Sequence, residues 1–172
     1  MMKLAIVPPF IYRIPPSGYG GEIFVYDLVC GLSEISGVEV HLFGIPGSYA
    51  PDNVFIHYVP KSSWSNFWMI EGYPVRFYRS LLQDMDVIHD LSHMHFIHDF
   101  FELRLDKRNV MSTPWGTSIV RPLVKDRLCL WSKFHLGCAL QQGFPKTSKY
   151  VLGGVNTDFY CPGSEKEDYF LW

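Results

Sequence analysis

The sequence predicts an α/β fold, with a Rossmann-like, doubly wound and mostly parallel sheet. Three observations predict it. Leu4-Ala5-Ile6-Val7 is a continuous apolar run, the pattern of a strand covered on both faces. Strand-like and helix-period segments then alternate along the chain. Between the first strand and the first helix lies Ser17-Gly18-Tyr19-Gly20-Gly21-Glu22, with three glycines in four residues. Strand, glycine-rich turn and helix is the arrangement in which N–H groups at a helix start face an anion. Glycines there let the backbone come close to a ligand. A surface turn without a ligand is the competing reading of the same stretch.

Taken in order, residues 8–20 form a long loop, and four prolines hold it extended or turning. From Glu22, apolar residues at Phe24, Val25, Leu28, Val29, Leu32 and Ile35 fall on one helical face, and Gly37 is placed as its stop. Glu22 sits in the first turn, where the helix dipole favours a carboxylate. Residues 38–43 alternate and end at Gly44, and residues 54–59 repeat the alternation, so both read as strands. Pro74 suits the first position of a helix to about Asp84, with Val75, Tyr78, Leu81 and Leu82 inward and Arg76 and Arg79 on the solvated side. Val87-Ile88-His89 is a short buried strand, and His93 to Leu105 is expected to be helical. Residues 109–112 and 128–131 give two more strands. Ser132 caps a helix to about Gln142 that Gly143 stops. Residues 150–152 form the last strand of the set. Residues 61–73 carry two tryptophans, a phenylalanine and little charge. They read either as a loop packed on the core or as an exposed aromatic surface.

At 172 residues one domain is the natural expectation, and 48% apolar with 16% aromatic residues describes a globular chain. A net charge of -2 gives no electrostatic reason to expect nucleic acid. Cys30, Cys129, Cys138 and Cys161 form no Cys-x-x-Cys pair, and three lie in apolar segments, as reduced core thiols of a cytoplasmic protein would. The N-terminal apolar run is only four residues long before Pro8-Pro9, unlike a signal peptide, and no segment approaches the roughly 20 apolar residues of a membrane span. After Pro162-Gly163 a charged stretch leads into Tyr169-Phe170-Leu171-Trp172, which reads as the opening of a buried strand. Residues 1–160 are therefore expected to be one Rossmann-like domain. Residues 161–172 are expected to be a linker and the start of a second domain.

Ligands of such sheets bind beyond the carboxyl ends of the strands, so the candidate loops are 8–21, 44–53, 89–95, 112–118, 131–133 and 153–158. A G-x-G-x-x-G fingerprint would need glycine where Ile23 stands, and no G-x-x-x-x-G-K-[ST] occurs. Both common nucleotide fingerprints are thus excluded. His89, His93, His95 and His98 crowd one place, with Asp90 and Asp99 among them. On a helix, His95, His98 and Asp99 would share one face and could hold a metal, although no second ligand group completes a known spacing. A single histidine acting as acid, base or electrostatic partner is the preferred reading, because the cluster follows a strand's carboxyl end. Histidines that only hydrogen-bond within the loop are the plain alternative. No G-x-S-x-G elbow occurs, and no cysteine is placed for nucleophilic catalysis.

Several segments together resemble one family. Residues 16–22, the helix up to Gly31-Leu32, Gly37 to Phe43, Asp86 to Asp90, and Ser132 to His135 are similar to the start of a family 4 glycosyltransferase. Gly154-Val155-Asn156-Thr157-Asp158-Phe159-Tyr160-Cys161-Pro162 is similar to the stretch that closes the N-terminal domain of those enzymes. The resemblance implies a GT-B architecture, two Rossmann-like domains facing across a cleft, of which this chain is the N-terminal, acceptor-side one. It implies retaining transfer of a sugar from a nucleotide-sugar donor to a saccharide or lipid-linked acceptor, with no metal and no further cofactor. A lipid-linked acceptor would bring peripheral contact with a membrane. Gly18, Gly20 and Gly21 would face the donor diphosphate, and Tyr19, Trp115 and Gly116 the acceptor. His93 or His89 would be the catalytic histidine, since the family's usual position is Leu91 here. Trp115-Gly116 stands where many members have His-Gly, which implies a more aromatic acceptor pocket. The family's glutamate after the double glycine usually falls one residue later than Glu22. Two further readings stand beside this one: a non-catalytic nucleotide- or sugar-binding module, and a sugar-nucleotide epimerase of GT-B architecture. A metal hydrolase built on the histidines comes last.

Overall fold

The computed structural model describes residues 1–16, 20–59, 72, 76–93, 95, 97, 110–114, 128–143 and 149–150. Five parallel strands form the main sheet: β1 (Met2–Val7), β2 (Val38–Gly44), β3 (Phe55–Tyr58), β4 (Val87–Asp90) and β5 (Val110–Ser112). Their spatial order is β3-β2-β1-β4-β5, which is compatible with a Rossmann-like sheet. β6 (Cys129–Leu130) and β7 (Lys149–Tyr150) pair in parallel as a second small sheet. A parallel bridge between Ser112 and Leu128 links β5 to that pair.

The alternation of side chains along β1 builds both cores. Leu4 and Ile6 join Val40, Leu42, Val25 and Val29 on one face, under α1 (Gly20–Ser33). Ala5 and Val7 join Phe43, Ile88, Val110 and Leu82 on the other, under α2 (Arg79–Gln83). Strands covered on both sides bury every position, so β2 is closed over its last five residues and does not alternate as its sequence suggests. β3 is an edge strand, with Phe55 and Tyr58 exposed. The third helix, α3 (Lys133–Gln141), begins as expected, with Ser132 Oγ accepting the His135 N–H at 3.1 Å. Gly143 follows it at φ +85. Trp131 ties the second sheet to the first. Its ring meets Phe24 of α1 edge-on with centroids 4.3 Å apart, and its indole N–H donates to the Pro114 carbonyl at 2.7 Å.

Three expectations need correction. α1 starts two residues before Glu22 and ends at Ser33, so Ile35 is not on its buried face and is 51% exposed. The chain leaves the helix through turns in which Leu32 O accepts from Ile35 N–H and Ile35 O from Val38 N–H, and Gly37 then takes φ +83. The segment from His93 does not open as a helix. His93 lies in a bend and His95 takes φ +50, outside the right-handed helical region, although Ser92 Oγ accepts the His95 N–H as a helix cap would. Cys30, Cys129 and Cys138 are free but only half-buried, not core thiols. The expectations for residues 61–71 and 73, Pro74, Val75, 98–105, 151–152, Cys161 and the linker at 161–172 lie outside the described residues. No described helix is long and apolar enough to cross a membrane.

The proline-rich arm between β1 and α1 is anchored at its far end. Ile14 is fully buried, its N–H donates to Ser48 Oγ at 3.0 Å, and its carbonyl accepts from Tyr49 N–H at 2.6 Å. A Cβ at Gly44 would lie 3.0 Å from both Cβ and Oγ of Ser48. Gly44→Ala should therefore displace Ser48, loosen the arm and destabilise the fold by about 1–3 kcal/mol, the usual range for overpacking. Urea denaturation reads this directly; a loss under about 0.5 kcal/mol would show that Ser48 gives way freely.

Candidate functional site

The order of the strands reverses between β1 and β4, because β2 and β3 lie to one side and β4 and β5 to the other. In open α/β sheets the crevice forms at that point, outside the carboxyl ends of the strands. A cavity of about 300 Å³ occupies this position, lined by Pro9, Ile11, Tyr12, Gly20, Gly21, Glu22 and His93. The arm after β1 supplies the first three residues and the first turn of α1 the next three. The bend after β4 supplies His93. Gly20 and Gly21 open the helix, so their N–H groups belong to its unpaired first turn, where the helix dipole favours negative charge. A Cβ at Gly20 would meet nothing within 4 Å, so the fold itself does not require glycine there.

Glu22 is the unusual member. A first-turn carboxylate normally reaches solvent, yet Glu22 is only 6% exposed. Burial pushes its carboxyl above the ordinary range, against its own N–H and the His93 ring, which both pull it down. His93 itself is exposed at the cavity.

His89 is placed differently. It is buried on β4, its Nε2 lies 2.8 Å from Thr113 Oγ1, and it does not line the cavity. Burial lowers its pKa to about 4; Asp90 opposes this and His95 adds to it. It is therefore a neutral imidazole at pH 7. Behind it, Asp90 is fully buried at the end of β4. Its Oδ1 accepts from Ser92 N–H at 3.0 Å and from the Ser92 hydroxyl at 2.6 Å, and its Oδ2 lies 3.7 Å from His95 Nδ1. Ser92 Oγ in turn accepts the His95 N–H at 3.1 Å. This tight turn carries His93 to the cavity.

Of the residues expected at the site, the structure brings Gly20, Gly21 and His93 together and leaves His89 beneath. Gly18, Tyr19, Trp115 and Gly116 lie outside the described residues, as does the segment 153–158. The helical metal face of His95, His98 and Asp99 is not formed as expected, because His95 is turned toward Asp90; His98 and Asp99 are outside the described residues. Among the described residues no group of three or more histidine, cysteine or acidic side chains could hold a metal ion. The sequence placed Glu22 as a helix-dipole residue and, through the resemblance, one residue before the family's usual glutamate. Its signal was present in the adjacency to Gly20-Gly21, but burial of a first-turn carboxylate has no mark in the sequence. Comparison with protein-family models and with curated proteins finds no match.

Proposed function

We propose that this chain is the N-terminal, acceptor-side domain of a retaining, nucleotide-sugar-dependent glycosyltransferase of GT-B architecture, acting in the cytoplasm. One observation carries the reading: Gly20 and Gly21 open α1 at the switch point of a parallel sheet and share a cavity with His93. The run of resembling segments from residue 16 to residue 162 supplies the reaction class. In this reading the first-turn N–H groups of α1 support the diphosphate leaving group, and His93 lies at the edge of the reacting sugar. A C-terminal domain contributes most of the donor site, so residues 1–172 alone are expected to transfer no sugar, since donor and acceptor must be held together.

The test is a panel of UDP- and GDP-sugars offered to the full-length protein with and without saccharide and lipid-linked acceptors, scored for turnover. Transfer that requires an acceptor supports the proposal. Product from donor alone marks an epimerase, and binding without turnover marks a binding module. Gly20 gives a sharper internal check. Because nothing fills the space above it and alanine is the better helix former by roughly 1 kcal/mol, Gly20→Ala should keep or raise the melting temperature. It should nevertheless weaken nucleotide-sugar binding at least tenfold. A variant with unchanged affinity would mean that no ligand approaches this backbone.

A further inference from the structure

Resting on the reading of Gly20-Gly21 as the diphosphate-facing turn, we infer that Glu22 binds the ligand as a neutral carboxylic acid, donating a hydrogen bond to a phosphate oxygen, so that donor binding takes up one proton. Among the described residues, the cavity lining holds no lysine or arginine, and one carboxyl, that of Glu22 directly after the two glycines. Glu22 is only 6% exposed and faces the cavity, not bulk solvent. A carboxylate and a phosphate facing each other across this cavity repel, and a proton on the carboxyl removes that repulsion. Neutral, the same group turns from acceptor to donor and makes a short O–H···O⁻ bond, among the stronger kinds.

The free protein is already inclined this way. Burial raises the affinity of the Glu22 carboxyl for a proton, and the groups that oppose it are its own N–H and His93. Among the described residues, the titratable groups lining the cavity beside it are Tyr12, from the arm after β1, and His93, from the bend after β4. His93 is the rival group for the proton, and its variant tells the two sites apart.

Proton balance is simple: ligand plus protein plus one proton from buffer gives the complex, with the proton on Glu22 and no bond broken. Between the pKa values of the free and the liganded carboxyl, affinity should fall tenfold per unit rise in pH. The experiment is titration calorimetry of the full-length protein with UDP-glucose and GDP-mannose, whose phosphates are fully ionised and take up or release no proton near neutrality. Each is run in buffers of different ionisation enthalpy. Uptake of close to one proton is expected in the wild type and in His93→Asn. In Glu22→Gln, which keeps a neutral donor, uptake should vanish and affinity should no longer fall with pH. Uptake that survives Glu22→Gln, or binding by the wild type with no uptake, overturns the inference while leaving the phosphate reading intact. No binding of either sugar nucleotide overturns the phosphate reading and this inference with it.

Discussion

Asp90→Ala should destabilise the domain by about 3–5 kcal/mol, the range for removing one partner of a buried charged network. Asp90 is fully buried, yet its carboxyl stays ionised. Burial alone would raise its pKa, but the His95 ring and the Ser92 hydroxyl and N–H outweigh that and hold it below the ordinary carboxylate value. Removing it strands the Ser92 N–H and hydroxyl in a site closed to water, where each unmade bond adds a desolvation penalty, and takes the ionised neighbour from the His95 ring 3.7 Å away. Asp86 supplies the contrast, since it accepts the Lys3 N–H at 2.7 Å but at the exposed surface. Asp86→Ala should lose only about 1 kcal/mol. Equilibrium denaturation of the two variants side by side measures the difference, and equal losses would show that the Asp90 network adds nothing beyond a surface contact. Because the same turn carries His93, Asp90→Ala should also loosen ligand binding even where the domain remains folded.

Acidification from pH 7 to 4 should weaken the fold by roughly 3 kcal/mol through His89 alone. Its native pKa is lowered from 6.5 to about 4 by burial. In that window the unfolded chain binds a proton that the native state refuses, so stability falls as the pH falls. Below about 4 both states are protonated and the loss is complete. His57, also lowered by burial and by the neighbouring His41, pushes in the same direction. Glu22 works the other way, because a raised carboxyl pKa favours the native state as acid is added. Asp90, with its lowered pKa, adds a loss only below the ordinary carboxylate value of 3.8. His89→Gln isolates the term: the drop between pH 6.5 and 4 should shrink relative to wild type. An unchanged slope would place the acid sensitivity elsewhere.

Much of the fold was legible because parallel sheets write their burial into the sequence. Leu4-Ala5-Ile6-Val7 and Val87-Ile88-His89 are apolar without alternation because both faces are covered, and that alone marks them as inner strands. Ser132 and Gly143 marked the ends of α3 through one hydroxyl and one positive φ. What misled was local backbone conformation, which periodicity does not record. The histidines from His93 on have a spacing that suits a helix, but His95 takes φ +50, and no count of apolar positions registers one residue's departure from the helical region. Ile35 kept the helical period after the helix had ended, since the period carries no information about where the chain turns away. At the site, the glycines and His93 were readable from their position after strands. The burial of Glu22 was not, because no periodicity records what closes over the first turn of a helix.

The most direct test of the whole account is the anomeric configuration of a transferred sugar. The full-length protein is incubated with the nucleotide-sugar that supports turnover and its acceptor, and the anomeric configuration of the new linkage is read by proton NMR. The account predicts a new glycosidic bond with the same anomeric configuration as the donor, lost on addition of excess nucleoside diphosphate. An inverted linkage, or no glycosidic product with any donor and acceptor pair, would contradict it.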